Sequence, residues 1–410
     1  MLRVNPNRLR TRLTSLAAIA TGPDGRISRL ALTDEDKMAR DQLVKWMQEL
    51  SLDVRVDDIG NIYGRRAGHQ TNGAAVLIGS HIDTVPNGGM FDGAMGVMAG
   101  LEIIEVLNNA NMTTTHPIEI VAFTNEEGAR FEPVMMGSGA VTGALDTAWV
   151  ETRPARDTGA TFTQELERIG YKGDARNRIS SPQIHAYLEY HVEQGPVLER
   201  ERAQIGVVEG VVGLSWLNVI IDGEANHAGT TPMDGRRDAL VAAGKMISAA
   251  RDLALERGDG LVITVGRITV SPNVPNAVPS RVEFSVDLRH QRAQFISRTA
   301  DLLEERFRTI ASCERTTVRI KEIKSVEPAV FDSTVIQAII ESAKALGMPY
   351  REIVSGAAHD AQYVNAIAPA GMIFVPSRAG MSHSPDEWTD WEDVAAGADI
   401  LLGAVVRLAG

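Results

Sequence analysis

Two periodicities alternate along the first third of the chain. Thr33 to Leu50 carries apolar positions at helical spacing behind Thr33 and Asp34, which suit an N-cap, and so predicts a helix. Leu52 to Val56 and Asn61 to Gly64 read as short strands, Ala75 to Gly79 and Ile118 to Thr124 as buried apolar strands, and Gly93 to Asn108 as a second helix. Ahead of them, Leu13 to Ala20 reads as part of an amphipathic helix capped at Asn7 rather than a signal peptide, because Thr14 and Ser15 break the apolar segment. Strand, helix, strand in alternation implies an α/β layer fold with functional residues at the strand ends. Trp149 to Ser181 is polar, with a helix near Phe162 to Ile169, and is expected to cover one flank.

The pattern changes at Gly213. A strand through Leu214 to Asp222, a helix at Asp238 to Glu256, strands at Leu261 to Val270 and Val282 to Leu288, a helix at Phe295 to Ser312 and a strand at Thr317 to Ile323 follow in the order β-α-β-β-α-β, the ferredoxin-like unit. The expectation is therefore a catalytic domain in two segments, 1–210 and 328–410, with an inserted domain at 211–327. The second segment holds a helix at Ser333 to Leu346, a strand at Met372 to Val375 and a helix at Val394 to Leu408.

Composition narrows the function. A chain of 410 residues with 44% hydrophobic and 23% charged residues is an ordinary globular protein of more than one domain. A net charge of −12, without clustered Lys and Arg, argues against a nucleic-acid partner. No apolar run is long enough to span a bilayer, which argues against a membrane protein. The single cysteine, Cys313, read as a half-buried helix residue, excludes a disulfide framework and a cysteine zinc site, and a cytoplasmic location is expected.

Candidate chemistry lies at strand ends. His81 and Asp83 follow the Ala75 to Gly79 strand with a period of two, so the Asp83 carboxylate is expected to steady the His81 ring. Asp92 returns towards His81 after the turn Pro86-Asn87-Gly88-Gly89. Glu126-Glu127 closes the second apolar strand, His191 lies in a strand ending at Gly195, and His383 lies in the loop after Met372 to Val375. Each has a plainer alternative: a polar strand end, a solvated acidic loop, a satisfied core histidine, a surface loop. Counted together, a histidine, a bridging aspartate and a second histidine suffice for one cation, and the same aspartate with a glutamate and a third histidine for another. That leaves Glu126 over, placed as a general base beside a water.

The segments GSHIDTVPNGGMFDG, AFTNEEGARF, EYHVEQGPVLE, EANHAGTTPM, RRD, VDLRH, SGAAHDAQ and GMIFVPSRAGMSHSPDEW, in this order, resemble the metal-dependent amidases of the hydantoinase/carbamoylase type. That group includes N-carbamoyl-L-amino-acid hydrolases, allantoate amidohydrolases and β-ureidopropionases, and belongs to a larger set of dinuclear metallopeptidases. The resemblance implies a dinuclear metallopeptidase-like catalytic domain with a ferredoxin-like insert that acts as lid and homodimer contact. It implies two divalent ions, zinc first, with manganese, cobalt and nickel also compatible with such donors. Residues matching the ligands are His81, Asp92 (bridging), Glu127, His191 and His383, and the match to the base is Glu126.

The resemblance further assigns His227 to the scissile carbonyl, across the dimer. It assigns Asn276 and Arg289 to the carboxylate of a small-molecule substrate, and Gln194 is a further candidate contact. Allantoate-type relatives carry an extra arginine in the strand that here reads Leu214-Ser215-Trp216-Leu217. The apolar version favours an N-carbamoyl-L-amino acid with an apolar side chain, with allantoate, β-ureidopropionate, and a dipeptide or N-acyl amino acid (a dipeptidase or aminoacylase) as rival substrates. A catalytically silent binding protein is the rival from another class. No G-x-S-x-G elbow supports a serine hydrolase.

Overall fold

A computed structural model describes residues 2–23 and 25–410. The chain divides into two compact units, Met1–Gly210 with Val330–Gly410, and Val211–Ala329. In chain order the first unit contributes Asp53–Val56 (β1), Ile62–Arg66 (β2), Ala75–His81 (β3), Ile118–Phe123 (β4), Ile184–Val192 (β5) and Ile205–Val211 (β6). Gly213–Asp222 (β7), Asn226–His227 (β8), Val262–Thr264 (β9), Ile268–Ser271 (β10), Ala277–Val278 (β11), Arg281–His290 (β12) and Thr317–Val326 (β13) follow in the insert. Ala329–Val330 (β14), Tyr350–Ser355 (β15) and Ala370–Val375 (β16) complete the set.

Among the described residues the first unit forms a mixed sheet in the order β1-β2-β4-β3-β5-β16-β6-β14, with β15 paired to β6. Its centre, β4-β3-β5-β16, is parallel throughout. Every residue of β3, β4 and β16 is buried, as strands covered on both faces require, which is why they read as unbroken apolar runs. The helices Ala94–Asn109 and Trp391–Ala409 supply much of the covering core, through Met95, Met98, Leu101, Ile400 and Leu401 among others. No helix among the described residues is long and apolar enough to cross a membrane.

In the insert, β10-β12-β7-β13 form an antiparallel sheet, and β9 also pairs with β12. Helices Ala239–Arg257 and Ala293–Cys313 bury Ala243, Met246, Leu303 and Phe307 against Val219, Ile221, Phe284 and Val286. This is the ferredoxin-like order.

Local readings differ in four places. Asn5, not Asn7, caps the first helix, Pro6–Ile19: its side chain accepts the N–H groups of Asn7 and Arg8, and Pro6 takes the first turn, where a missing N–H costs nothing. The strand expected over Leu261 to Val270 is two strands, β9 and β10, interrupted at 265–267. Strands β6 and β15 lie towards one side of the sheet, where Glu209, Arg351 and Glu352 break the apolar pattern that marks a central strand. Cys313 is exposed, not half-buried.

Candidate active site

The four parallel strands end at one edge of the sheet, so short segments at their carboxyl ends meet there. His81 closes β3 opposite Phe123 of β4, and His191 lies on β5 beside Phe374 of β16. Glu126-Glu127 follows β4 within four residues, and Ser382-His383 lies in the loop beyond β16. The result is two trios that share Asp92: His81, Asp92 and His191, all buried, and Asp92, Glu127 and His383; in each, the ligand atoms lie within 4.8 Å of one another. Asp92 Oδ1 is 3.4 Å from His81 Nε2 and 3.1 Å from His191 Nε2, while Oδ2 is 3.3 Å from His383 Nε2. Glu127 Oε2 is 3.3 Å from the same nitrogen of His383. The aspartate thus turns one oxygen to each trio.

The far nitrogens of two rings fix their tautomers. His81 Nδ1 lies 2.9 Å from the carbonyl of Asp83, and His191 Nδ1 lies 3.0 Å from that of Val192. A carbonyl only accepts, so each Nδ1 carries a hydrogen, and in the neutral ring each Nε2 is left with an inward lone pair. The His191 lone pair accepts the N–H of Gly93 at 3.0 Å. This corrects the expectation for Asp83: its carboxylate lies 3.8 Å from His81 Nδ1 and its main-chain carbonyl steadies the ring instead. The carboxylate accepts the N–H groups of Glu126 (3.2 Å) and Glu127 (3.3 Å), fixing the acidic pair beside the histidines. Asp83 lies past the end of β3, which frees both groups for separate tasks.

Close approach explains Gly93. Its φ is +60°, and a Cβ there would lie 2.3 Å from His81 Nε2, so only glycine lets the chain after Asp92 pass against the imidazole. Asn125, Gln194 and His383 also hold positive φ values (55°, 57° and 52°), so three site loops carry non-glycine residues in the left-handed region, as functional sites commonly do.

The electrostatics match a site built for cations. Burial presses the His81 ring towards neutrality, yet Glu126, Asp92 and Asp83 outweigh it and hold its pKa well above the usual range. Burial also acts to raise Asp92, and His191, His383 and His81 outweigh it in the other direction. Burial lifts Glu127 to about 7, with Asp92 adding to the shift. The hydrogen bond to Asp92, then the charge of Glu127, lifts His383 to about 9 despite its burial. Glu126, 3.6 Å from His81 Nε2, is raised well above an ordinary carboxyl by burial; His81 opposes this, and Asp360, Glu127 and Asp83 reinforce it.

Imidazole and carboxylate donors in this arrangement fit divalent cations. Glu127 Oε1 is buried without a hydrogen-bond partner, which a cation would remedy.

Gln194 donates from Nε2 to Asp92 Oδ2 at 2.8 Å and so sits within this cluster. The remaining expected residues belong to the insert and are described within it. β8 pairs with β11, setting His227 opposite Ala277 beside Asn276, whose carbonyl accepts the N–H of Ala228 at 3.0 Å. His227 is exposed, and its Nδ1 accepts from Gly229 (3.0 Å) and Thr230 (3.2 Å), leaving the hydrogen on Nε2 able to donate. Arg289 lies on β12 opposite Leu214 and is held by Asp287 at 3.0 Å. Sequence reasoning missed Ser382 and Glu387, whose bonds to the Asp92 turn join segments nearly 300 positions apart.

Residues 77–407 match the family model of peptidase family M20/M25/M40. The chain is 39% identical over 408 residues to an N-carbamoyl-L-amino acid amidohydrolase of Geobacillus stearothermophilus, covering 99% of each chain. It is 35% identical over 394 residues to an allantoate amidohydrolase of Bacillus subtilis, covering 96% of this chain and 95% of the relative. The crystal structure of a hydantoinase/carbamoylase-family amidase from Burkholderia multivorans superposes with a TM-score of 0.94 at 41% identity, covering 100% of this chain and 98% of that one. The chain is therefore a hydrolase of peptidase family M20/M25/M40, of the hydantoinase/carbamoylase amidase type.

Proposed function

We propose that the protein hydrolyses the carbamoyl C–N bond of N-carbamoyl-L-amino acids, releasing the amino acid, carbon dioxide and ammonia. The observation that carries this reading is the pair of trios around Asp92 with Glu126 beside them and in neither. In this account His81, Asp92 and His191 hold one divalent ion and Asp92, Glu127 and His383 the other. Zinc is the first choice, and manganese, cobalt and nickel are compatible. When bound, such ions polarise a carbonyl and lower the pKa of water towards about 7.

Glu126 accepts the proton of the attacking water and delivers it to the leaving amine, a two-way task suited to a carboxyl raised by burial. Asp83 keeps Glu126 and Glu127 in place through their N–H groups. His227 donates from Nε2 to the carbonyl oxygen as negative charge gathers there, and its exposure suits a role across a homodimer formed through the insert. Arg289 and Asn276 bind the substrate carboxylate, Arg289 through two parallel N–H donors, and Gln194 contacts the bound substrate. The carbamate left after C–N cleavage breaks down to carbon dioxide and ammonia.

Substrate choice rests on Leu214, which faces Arg289 across the β7–β12 pair with Trp216 two positions on. An apolar wall beside the carboxylate grip favours an apolar side chain over a second ureido group. A panel of N-carbamoyl-L-amino acids, allantoate, β-ureidopropionate and a dipeptide, assayed for ammonia or amine release, tests the reading. The expected order places an N-carbamoyl-L-amino acid with an apolar side chain highest in kcat/KM. Highest kcat/KM on allantoate, or cleavage of the dipeptide alone, would overturn the assignment.

A further inference from the structure

Glu387 has a bonding pattern that the roles above leave unused. It is 4% exposed and lies in the loop beyond β16, four residues past His383. Oε1 accepts the main-chain N–H groups of Phe91 at 3.0 Å and Asp92 at 3.2 Å, and Oε2 accepts Ser382 Oγ at 2.9 Å. Ser382 Oγ also stands 3.0 Å from Asp92 Oδ2. One carboxylate therefore ties the main chain of the aspartate shared by both trios to the residue preceding His383. Phe91 packs edge-on to Trp388 and Trp391, with ring centroids 5.7 and 5.3 Å away, so the same two segments are also joined by apolar contact. Gly89 belongs to the arrangement: a Cβ there would lie 2.0 Å from Glu387 Oε1, so this glycine leaves room for the carboxylate.

The two trios do not depend on this tie equally. His81 and His191 sit on β3 and β5, central strands fixed by the parallel ladder. Asp92 and His383 lie on loops, and the His383 side chain is 51% exposed with φ at 52°. A ligand on a loop pays ordering entropy on binding unless its loop is already held.

Resting on the two-cation reading above, we propose that Glu387 is the positioning residue of the Asp92–Glu127–His383 cation site, setting the spacing between two of its three loop-borne ligands, Asp92 and His383. Removing it weakens that site more than the His81–Asp92–His191 site, which shares Asp92 but has its two histidines on strands. Outer-sphere partners of this kind typically account for about 10–100-fold in metal affinity.

The test is a zinc titration of the chelator-stripped full chain against a chromophoric competitor, with circular dichroism to confirm folding. The wild-type chain takes two equivalents. Glu387→Ala binds one equivalent about 10–100-fold less tightly, with the other changed by less than about threefold. Glu387→Gln restores most of the loss, because its carbonyl oxygen still accepts the two N–H groups and its amide donates to Ser382 Oγ. Ser382→Ala removes one arm of the tie without touching its main-chain bonds; it falls between wild type and Glu387→Ala, and it decides the matter if the latter does not fold. Unchanged affinity for both equivalents in Glu387→Ala, or in Ser382→Ala where that variant decides, overturns the role; so does equal weakening of both sites. A wild-type chain that takes fewer than two ions instead undoes the two-cation reading itself, so the two failures are distinguishable.

Discussion

The two units hold their polar residues in opposite ways. In the first, His81, Asp92, Glu126 and His191 are buried, and each meets a group from another segment of the chain: Asp92 for both histidines, Glu387 for Asp92 and Asp83 for Glu126. In the insert, His227 and Asn276 are exposed and Arg289 is one-third exposed, and the His227 ring bonds Gly229 and Thr230 and the Arg289 guanidinium bonds Asp287, all close in sequence. The roles proposed for the two units account for the difference. Cation ligands must converge from several strands with little positional tolerance, and burial of that many charged groups is tolerable only when each meets an opposite charge or a donor. Groups that grip a substrate must stay open to solvent until it arrives. On this account the first unit governs turnover and metal content, and the insert governs substrate capture and oxyanion stabilisation.

Substitutions in the two units should therefore move different quantities. The largest effect belongs to Glu126→Gln, which keeps size and burial but removes the base. Turnover should fall about 10³-fold with metal content and unfolding temperature unchanged, as steady-state kinetics and elemental analysis would show. Near-normal turnover would remove Glu126 from the reaction. His227→Ala should lower kcat about 10²-fold without altering bound metal, since it deletes one donor to a developing charge; metal loss there would blur the division between the units. Arg289→Ala should act mainly on KM, raising it about 10–100-fold for carboxylate-bearing substrates, and should spare a substrate amide that lacks the charge. A pure kcat effect would place Arg289 in the chemistry instead.

How far the chain could be read in advance follows the same division. The parallel centre of the sheet was legible because strands covered on both faces leave unbroken apolar runs, and the ends of such strands are where His81, Glu127, His191 and His383 lie. The insert was legible from its alternation of strand and helix periods, apart from the break at 265–267, where β9 and β10 part within one apolar stretch. What escaped is what depends on main-chain geometry or long-range pairing. Asp83 holds His81 with its carbonyl, a group every residue has, so no side-chain pattern announces it. Glu387 reaches Asp92 across 295 positions, and in sequence it is one acid in a polar loop. Strands β6 and β15 carry charges among their apolar residues, so their period is blurred.

The central claim is that two cations gathered around Asp92, with Glu126 beside them, carry out the hydrolysis. Its most direct test is a titration of the chelator-stripped chain with zinc or manganese, following ammonia release from an N-carbamoyl-L-amino acid at each step. The account predicts no turnover in the stripped chain and a rise that levels off at two equivalents per chain. Full turnover at one equivalent, or turnover that survives complete removal of metal, would contradict it.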